Sequence, residues 1–394
     1  MRNSYDYYKE KLKGLPLPLA FVDLDLLYDN CRRILELAQG VPVRIATKSV
    51  RSLSLLHLVM KQSPQFKGLM AFSAKEAAYL AAHGFDDILI AYPTVEQAAL
   101  EDALEIVKEG RRIVFTVDCK EHCRILDQLG KKYDLKIQVS LDVDMSIALP
   151  GIFFGVRRSP IRSKIDAERF VEDIASFSNI NLCAVMGYEA QLAGAPDRNP
   201  FRLLDSFAIR ILKKITAKYS FKRRSEIVAF LKSRGFNIQI VNGGGTGSLK
   251  LSRKDQSLTE LTAGSALFCP TLFDYYDDLG LLPAAGFALP VTRIPAEGMV
   301  TCHSGGFIAS GSHGADRLPT PFLPPGMKLL PQEGAGEVQT PMTTASSHLK
   351  IGDPVFFRHA KAGELCEHFL KLHLLHKNGL ETVNTYRGDG QQFP

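Results

Sequence analysis

The chain has 394 residues, 45% of them hydrophobic and 23% charged, with a formal net charge of +6, which suits a globular protein large enough for two domains. The charge is mild and scattered, so a nucleic-acid-binding role is not expected. Seven cysteines, odd in number and without CxxC pairs, argue against a disulfide framework. No apolar run approaches the ~18 residues of a membrane-spanning helix and no signal core opens the chain, so no membrane association is expected and the cytoplasm is the default compartment.

Taken in chain order, strand-like runs occur at Arg44–Lys48, Gly68–Ser73, Asp87–Tyr92, Arg112–Val117, Lys136–Asp142, Leu182–Tyr188, Ile238–Asn242 and Glu260–Ala263. Helix-like segments fall between them, at Ser52–Gln62, Ala74–His83, Val95–Lys108, Cys119–Tyr133, Ala167–Phe177 and Leu203–Arg234. This alternation predicts an α/β fold of the (β/α)8 TIM-barrel type, with its chemistry at the C-terminal strand ends. The barrel is expected over 18–270. The densest basic run, Lys213-Lys214 through Lys222-Arg223-Arg224, falls within the last of these helices and reads as a solvated face. After Pro270 glycine and proline become dense, and Val291–Arg293, Met299–His303 and Pro354–Phe357 are short and β-like. A mainly β second domain is therefore expected over 275–394, with residues 1–17 a candidate to pack on it. The stretches Gly305–Lys328 and Gly334–Pro341 read as long loops, which are often functional.

Two features carry chemistry. In Val43-Arg44-Ile45-Ala46-Thr47-Lys48-Ser49 a single lysine ends an alternating apolar strand. Desolvation there favours a nucleophilic amine, and the commonest use of such a lysine is a Schiff base; the alternative is a strand-end lysine reaching for solvent. In Val241-Asn242-Gly243-Gly244-Gly245-Thr246-Gly247-Ser248 an apolar strand runs into a glycine-rich turn. Converging backbone N–H groups and two hydroxyls could cradle a phosphate, against the alternative of a plain turn. Neither the Walker lysine nor the dinucleotide spacing is present.

The opening Pro18-Leu19-Ala20-Phe21-Val22-Asp23-Leu24-Asp25 with Asn30, the lysine segment, Asn242–Ser248 and Glu260-Leu261-Thr262-Ala263-Gly264-Ser265 occur in a fixed order. In this the chain resembles the alanine racemase N-terminal-domain family of fold-type III pyridoxal phosphate enzymes, and within it the D-threonine aldolase / D-serine dehydratase branch. The resemblance implies that Lys48 bonds the cofactor and that Gly244, Gly245, Thr246 and Ser265 hold its phosphate. It implies a homodimer as well.

Other residues are candidates with alternatives open. Arg157 or Arg158 could contact the cofactor ring oxygen or a substrate carboxylate, or lie on the surface. Tyr188 could stack on a planar cofactor or plug the barrel mouth. Asn242 could orient the cofactor as well as end its strand. The aldolase/dehydratase branch binds a divalent metal through a histidine and, two residues later, a cysteine or aspartate. Here His359 is followed by Ala360-Lys361, and the cysteine comes only at Cys366. A metal at His359 and Cys366, zinc or manganese, stands against a buried cysteine with an unligated histidine. Histidines 368, 373 and 376 have the spacing of one helix face and read as surface decoration.

The expected function is a pyridoxal phosphate-dependent lyase, an aldolase or a dehydratase. Its implied substrate is a small D-configured β-hydroxy amino acid. An amino-acid racemase, a non-catalytic pyridoxal phosphate carrier and a sugar-phosphate barrel enzyme are the alternatives.

Overall fold

The computed structural model describes residues 4–149, 152–198, 203–311, 314–345 and 348–393, which form two compact units. One contains Ile34–Lys48 and Met60–Gly264; the other contains the chain up to Arg33, Ser49–Val59 and the chain from Ser265 to Gln392.

The first unit is a closed barrel of eight strands: β1 (Val43–Ala46), β2 (Phe66–Ala71), β3 (Ile88–Ile90), β4 (Ile113–Val117), β5 (Ile137–Asp142), β6 (Ile180–Gly187), β7 (Ile240–Gly243) and β8 (Glu260–Ala263). Each pairs in parallel with the next in the chain, and β8 returns to β1 through Leu261 opposite Val43 and Ala263 opposite Ile45. These are the eight runs expected from the sequence. The reason is physical: barrel strands are covered on both faces, so they read as near-continuous apolar runs. In β4, Ile113-Val114-Phe115-Thr116-Val117, all five residues are buried. Leu89 of β3 and Ile240 of β7 belong to one buried cluster with Val114, Ala184 and Met186. Strands on opposite sides of a closed ring meet through its interior, so this cluster fills the barrel as packed core.

The buried Arg44 guanidinium of the barrel is paired. Arg44 of β1, 1% exposed, bonds Glu260 of β8 at 2.6 Å and Asp87 at 3.0 Å. The basic run at 213–224 departs from the solvated face expected of it. Lys213 is buried on Asp197 at 2.7 Å, and Arg224 is wholly buried in the helix Leu203–Ser233. The segment between Asp144 and Gly155 carries a small antiparallel hairpin, Ile147–Leu149 with Ile152–Phe154.

The second unit is built on a nine-stranded mixed sheet. Its central strands are Ala285–Ala296, Leu19–Asp23 and Lys371–His376; the last two pair in parallel and the others antiparallel. The helix Tyr5–Lys11 lays Tyr8 against Phe21 and Phe356, with ring centroids at 5.0 and 5.7 Å. Val291–Arg293 is the middle of a longer strand, and the stretch expected as loop 305–328 contains the strand Thr320–Leu323, paired to Pro354–Arg358. His373 and His376 lie on a strand, not on a helix; alternation in Lys371-Leu372-His373-Leu374 buries the leucines and turns His373 to Thr382, at 2.9 Å. Among the described residues no helix is long and apolar enough to cross a membrane.

Candidate active site

In the barrel unit, β1 ends in a single 3-10 turn, Thr47–Ser49, that carries Lys48. The Thr47 hydroxyl donates to the Met70 carbonyl at 2.9 Å and anchors the turn to β2. Lys48 itself is exposed, so its position at the strand end does not desolvate it. It hydrogen-bonds the phenol of Tyr92, two residues beyond β3. The Arg158 guanidinium lies over the same ring, 4.7 Å from its centroid. Burial pushes the Tyr92 phenol up, but the two cations and their hydrogen bonds outweigh it and hold it below the usual tyrosine range.

Arg158 is fixed from behind. Its Nε donates to Asp142 Oδ2 at 2.7 Å, Nη2 donates to the Ala91 carbonyl, and its backbone N–H donates to Asp144 at 3.3 Å. Asp142 ends β5 and is 1% exposed. Burial raises its pKa to about 6, with the Arg158 charge opposing and the carboxylates of Asp118 and Asp144 adding to the rise. Its Oδ1 has no hydrogen-bond partner. Of the two adjacent arginines, Arg158 enters this network, while Arg157 is exposed with its guanidinium 4.3 Å from the Phe153 ring.

The glycine turn follows β7. Gly244 adopts φ +76°, which favours glycine, and a Cβ on Gly245 would sit 2.8 Å from Ala193 Cβ and 3.0 Å from the Tyr188 ring. The amide of Gly244 donates to Glu189 Oε2 at 2.7 Å and that of Gly245 to Ser248 Oγ at 3.1 Å. Both amides are therefore committed to protein acceptors, and the glycines supply space and conformation. The 3-10 turn Thr246–Ser248 continues from there, with Thr246 buried. Glu189 is in turn bonded by Arg224, which also pairs with Asp255 and donates to the Gly187 carbonyl at 2.7 Å. Arg224 and Glu189 are 0% exposed and Asp255 3%, so a fully buried ion triad holds the turn.

Tyr188 packs against this turn. Burial and the neighbouring Tyr92 raise its phenol to about 12, with Arg158 opposing and Glu189 adding to the rise. Asn242 is 2% exposed; its amide donates to Glu260 at 2.7 Å and its oxygen accepts from Thr262 at 3.0 Å. It thus braces β7 against β8.

The remaining candidates lie in the second unit. Ser265 is half-buried, its hydroxyl 3.4 Å from that of Ser49. His359 is 4% exposed, and neither ring nitrogen has a partner. Burial, aided by Arg358, lowers its pKa to about 3, so it is a neutral imidazole. Cys366 is fully buried; burial pushes its thiol up to about 12, and it donates to the Val50 carbonyl at 3.2 Å. Among the described residues, neither belongs to a converging group of three metal-ligand side chains.

The fold and these residues define a barrel protein whose strand ends carry a lysine–tyrosine–arginine–aspartate network. Residues 22–271 match the family model described as alanine racemase, N-terminal domain, and the chain belongs to that family of fold-type III pyridoxal phosphate enzymes. It is 23% identical over 253 residues to a 3-hydroxy-D-aspartate aldolase of Paracoccus denitrificans (strain Pd 1222), covering 64% of this chain. The match spans about 60% of that relative's length. Among solved structures, D-threonine aldolase from Filomicrobium marinum superposes with a TM-score of 0.80 at 17% identity, covering 95% of this chain and 96% of the other. D-threo-3-hydroxyaspartate dehydratase from Delftia sp. HT23 gives 0.76 at 18% identity, covering 95% and 98%; a variant of such a dehydratase is known in a metal-free form. At these identities the superpositions establish the fold.

Proposed function

We propose that this chain is a pyridoxal phosphate-dependent lyase, an aldolase or a dehydratase, acting on a small β-hydroxy amino acid of D configuration. The observation that carries the reading is the network Lys48–Tyr92–Arg158–Asp142 at the C-terminal ends of the barrel strands. In this fold that end is where chemistry sits. The residues fit the cofactor: an exposed strand-end amine, a fixed guanidinium, an unpartnered Asp142 oxygen and a turn in which a Cβ at Gly245 would fill the space. When bound, pyridoxal phosphate supplies an electron sink for cleavage at the substrate Cα. Within the barrel unit Lys48 would hold it, the turn Thr246–Ser248 would take its phosphate, and Tyr188 would pack on it, with Gly244, Gly245 and Asn242 shaping the turn.

The chain's own groups then divide the work. Lys48 Nζ exchanges a proton with Tyr92 Oη, whose lowered pKa suits it to accept one. Arg158 offers a planar fork to a carboxylate or ring oxygen, and Asp142 keeps it oriented. His359, neutral with two unpartnered nitrogens, is suited to ligate a divalent metal with Cys366. Such a metal would supply a Lewis acid suited to a β-hydroxyl. We further propose a cytoplasmic homodimer; free cysteines suit a reducing compartment.

The test is to reconstitute the protein with pyridoxal phosphate and offer D- and L-β-hydroxy amino acids, with and without chelator. An aldehyde or a keto acid from the D-series, lost in chelator, supports the reading. Formation of the enantiomer alone would place the racemase ahead of it.

A further inference from the structure

We propose a zinc-class metal site in the barrel unit, formed by Asp118, Cys119 and His122. This site does not depend on the lyase reading. Asp118 follows the C-terminal end of β4, Cys119 is the N-cap of the helix Lys120–Tyr133, and His122 lies in that helix's first turn. One ligand atom from each lies within 4.8 Å of the other two. A tetrahedral zinc with ordinary bond lengths separates such ligand atoms by about 3.3–3.6 Å, so modest side-chain rotation closes the set.

Two details argue for a shared cation over an internal hydrogen bond. His122 Nδ1 and Asp118 Oδ1 are 3.0 Å apart, yet the buried Nδ1 makes no hydrogen bond, because the two atoms are close without being aligned. Two ligand atoms this close with no hydrogen bond between them suit a third centre that both can bind. Cys119 occupies an N-cap position without making a side-chain capping bond, so its sulfur has no competing task there. Sulfur with imidazole and a carboxylate selects zinc over magnesium or calcium, and three protein ligands leave a fourth position for water or a substrate oxygen. His122 lines a small recess with Thr116 and Tyr92.

The test uses the full chain, stripped of metal and titrated with Co2+ as the probe. The His359→Ala/Cys366→Ala double variant serves as background, so that the other proposed ligands cannot contribute. That variant should still bind one cobalt per chain with a thiolate-to-cobalt charge-transfer band. Cys119→Ser should abolish the band, and His122→Gln should weaken binding by more than the roughly 10–100-fold typical of losing an outer-shell partner. Serine is a preferred N-cap, so Cys119→Ser keeps the helix start intact and circular dichroism should be unchanged. A band that survives Cys119→Ser, or that is absent from the double-variant background, overturns the site.

Discussion

The barrel strand ends and the surroundings of His359 treat polar groups in opposite ways. At the strand ends, charges are held by other charges: Arg158 by Asp142, Arg224 by Glu189 and Asp255, and the Tyr92 phenol by two cations. Around His359 the imidazole is buried with both nitrogens unpartnered and its pKa drawn down to about 3, chiefly by burial. The first arrangement fixes geometry in advance of a ligand. The second keeps a donor neutral, which is the form a metal needs. The contrast separates charged groups held by countercharges from a neutral buried imidazole with none, and each can be broken in turn.

The largest effect should come from Lys48→Ala. Removing the amine should lower kcat by about 10^3-fold or more, if general acid–base loss is added to loss of covalent attachment. Borohydride reduction of the wild type with pyridoxal phosphate should label one peptide, the one containing Lys48; a label on another lysine would remove the basis of the reading. Next comes Arg224→Met, which strands Glu189 and Asp255 without their countercharge. Breaking a buried ion pair typically costs about 3–5 kcal/mol, and urea unfolding of the barrel should report it. An unchanged midpoint would mean that the triad is not what holds the glycine turn.

The two regions should also move stability with pH in opposite directions. Asp142 titrates at about 6 in the folded chain against 3.8 as its reference value. Between those values the folded state binds more protons than the unfolded one, so stability falls as pH rises, by up to about 3 kcal/mol. His359 titrates at about 3 against 6.5. Between those values the unfolded state binds more protons, so its contribution is complete above about pH 6.5 and is lost on acidification, by up to about 5 kcal/mol. In metal-free protein the slopes oppose each other from about pH 4 to 6. Asp142→Asn should steepen the acid loss, and His359→Ala should flatten or reverse it. Parallel curves for both variants and the wild type would contradict the comparison.

The barrel was legible because its strands are apolar on both faces and keep a helix between them; that pattern survives in a single sequence. Leu19–Asp23 is just as apolar, but its partners, Ala285–Ala288 and Leu372–Leu375, lie hundreds of residues away, and no local pattern announces them. Of the strand-end network only Lys48 was legible, because there one residue type at a strand end sufficed. Choosing Arg158 over Arg157 depends on the hairpin before them, since adjacent residues point differently. Tyr92 reads as an ordinary strand-end tyrosine until Arg158 is placed over it. Glu189 and Arg224 meet across 35 positions of chain, and a basic helical run reads as solvated until that acid is found. Asp118-Cys119-Lys120-Glu121-His122 did carry a local signal, its ligand spacing at a helix start.

The smallest effect sharpens the account of the glycine turn. If the turn held phosphate through the amides of Gly244 and Gly245, those amides would have to be unclaimed, yet they donate to Glu189 and Ser248. Contact should then fall to the turn beginning at Thr246, whose hydroxyl can add one charge-assisted bond. Thr246→Ala should weaken pyridoxal phosphate binding by about 1–2 kcal/mol, read as a rise in Kd by fluorescence titration. Gly245→Val should weaken it more, because the new side chain meets Ala193 and the Tyr188 ring and displaces the turn itself. Glu189→Gln keeps the shape and an oxygen for the Gly244 amide while removing the charge that Arg224 balances. It should leave the Thr246 contribution intact and lower stability instead. If Thr246→Ala is silent while Glu189→Gln alone abolishes binding, the anion lies against the glycine amides after all, and the spacer role assigned to them fails.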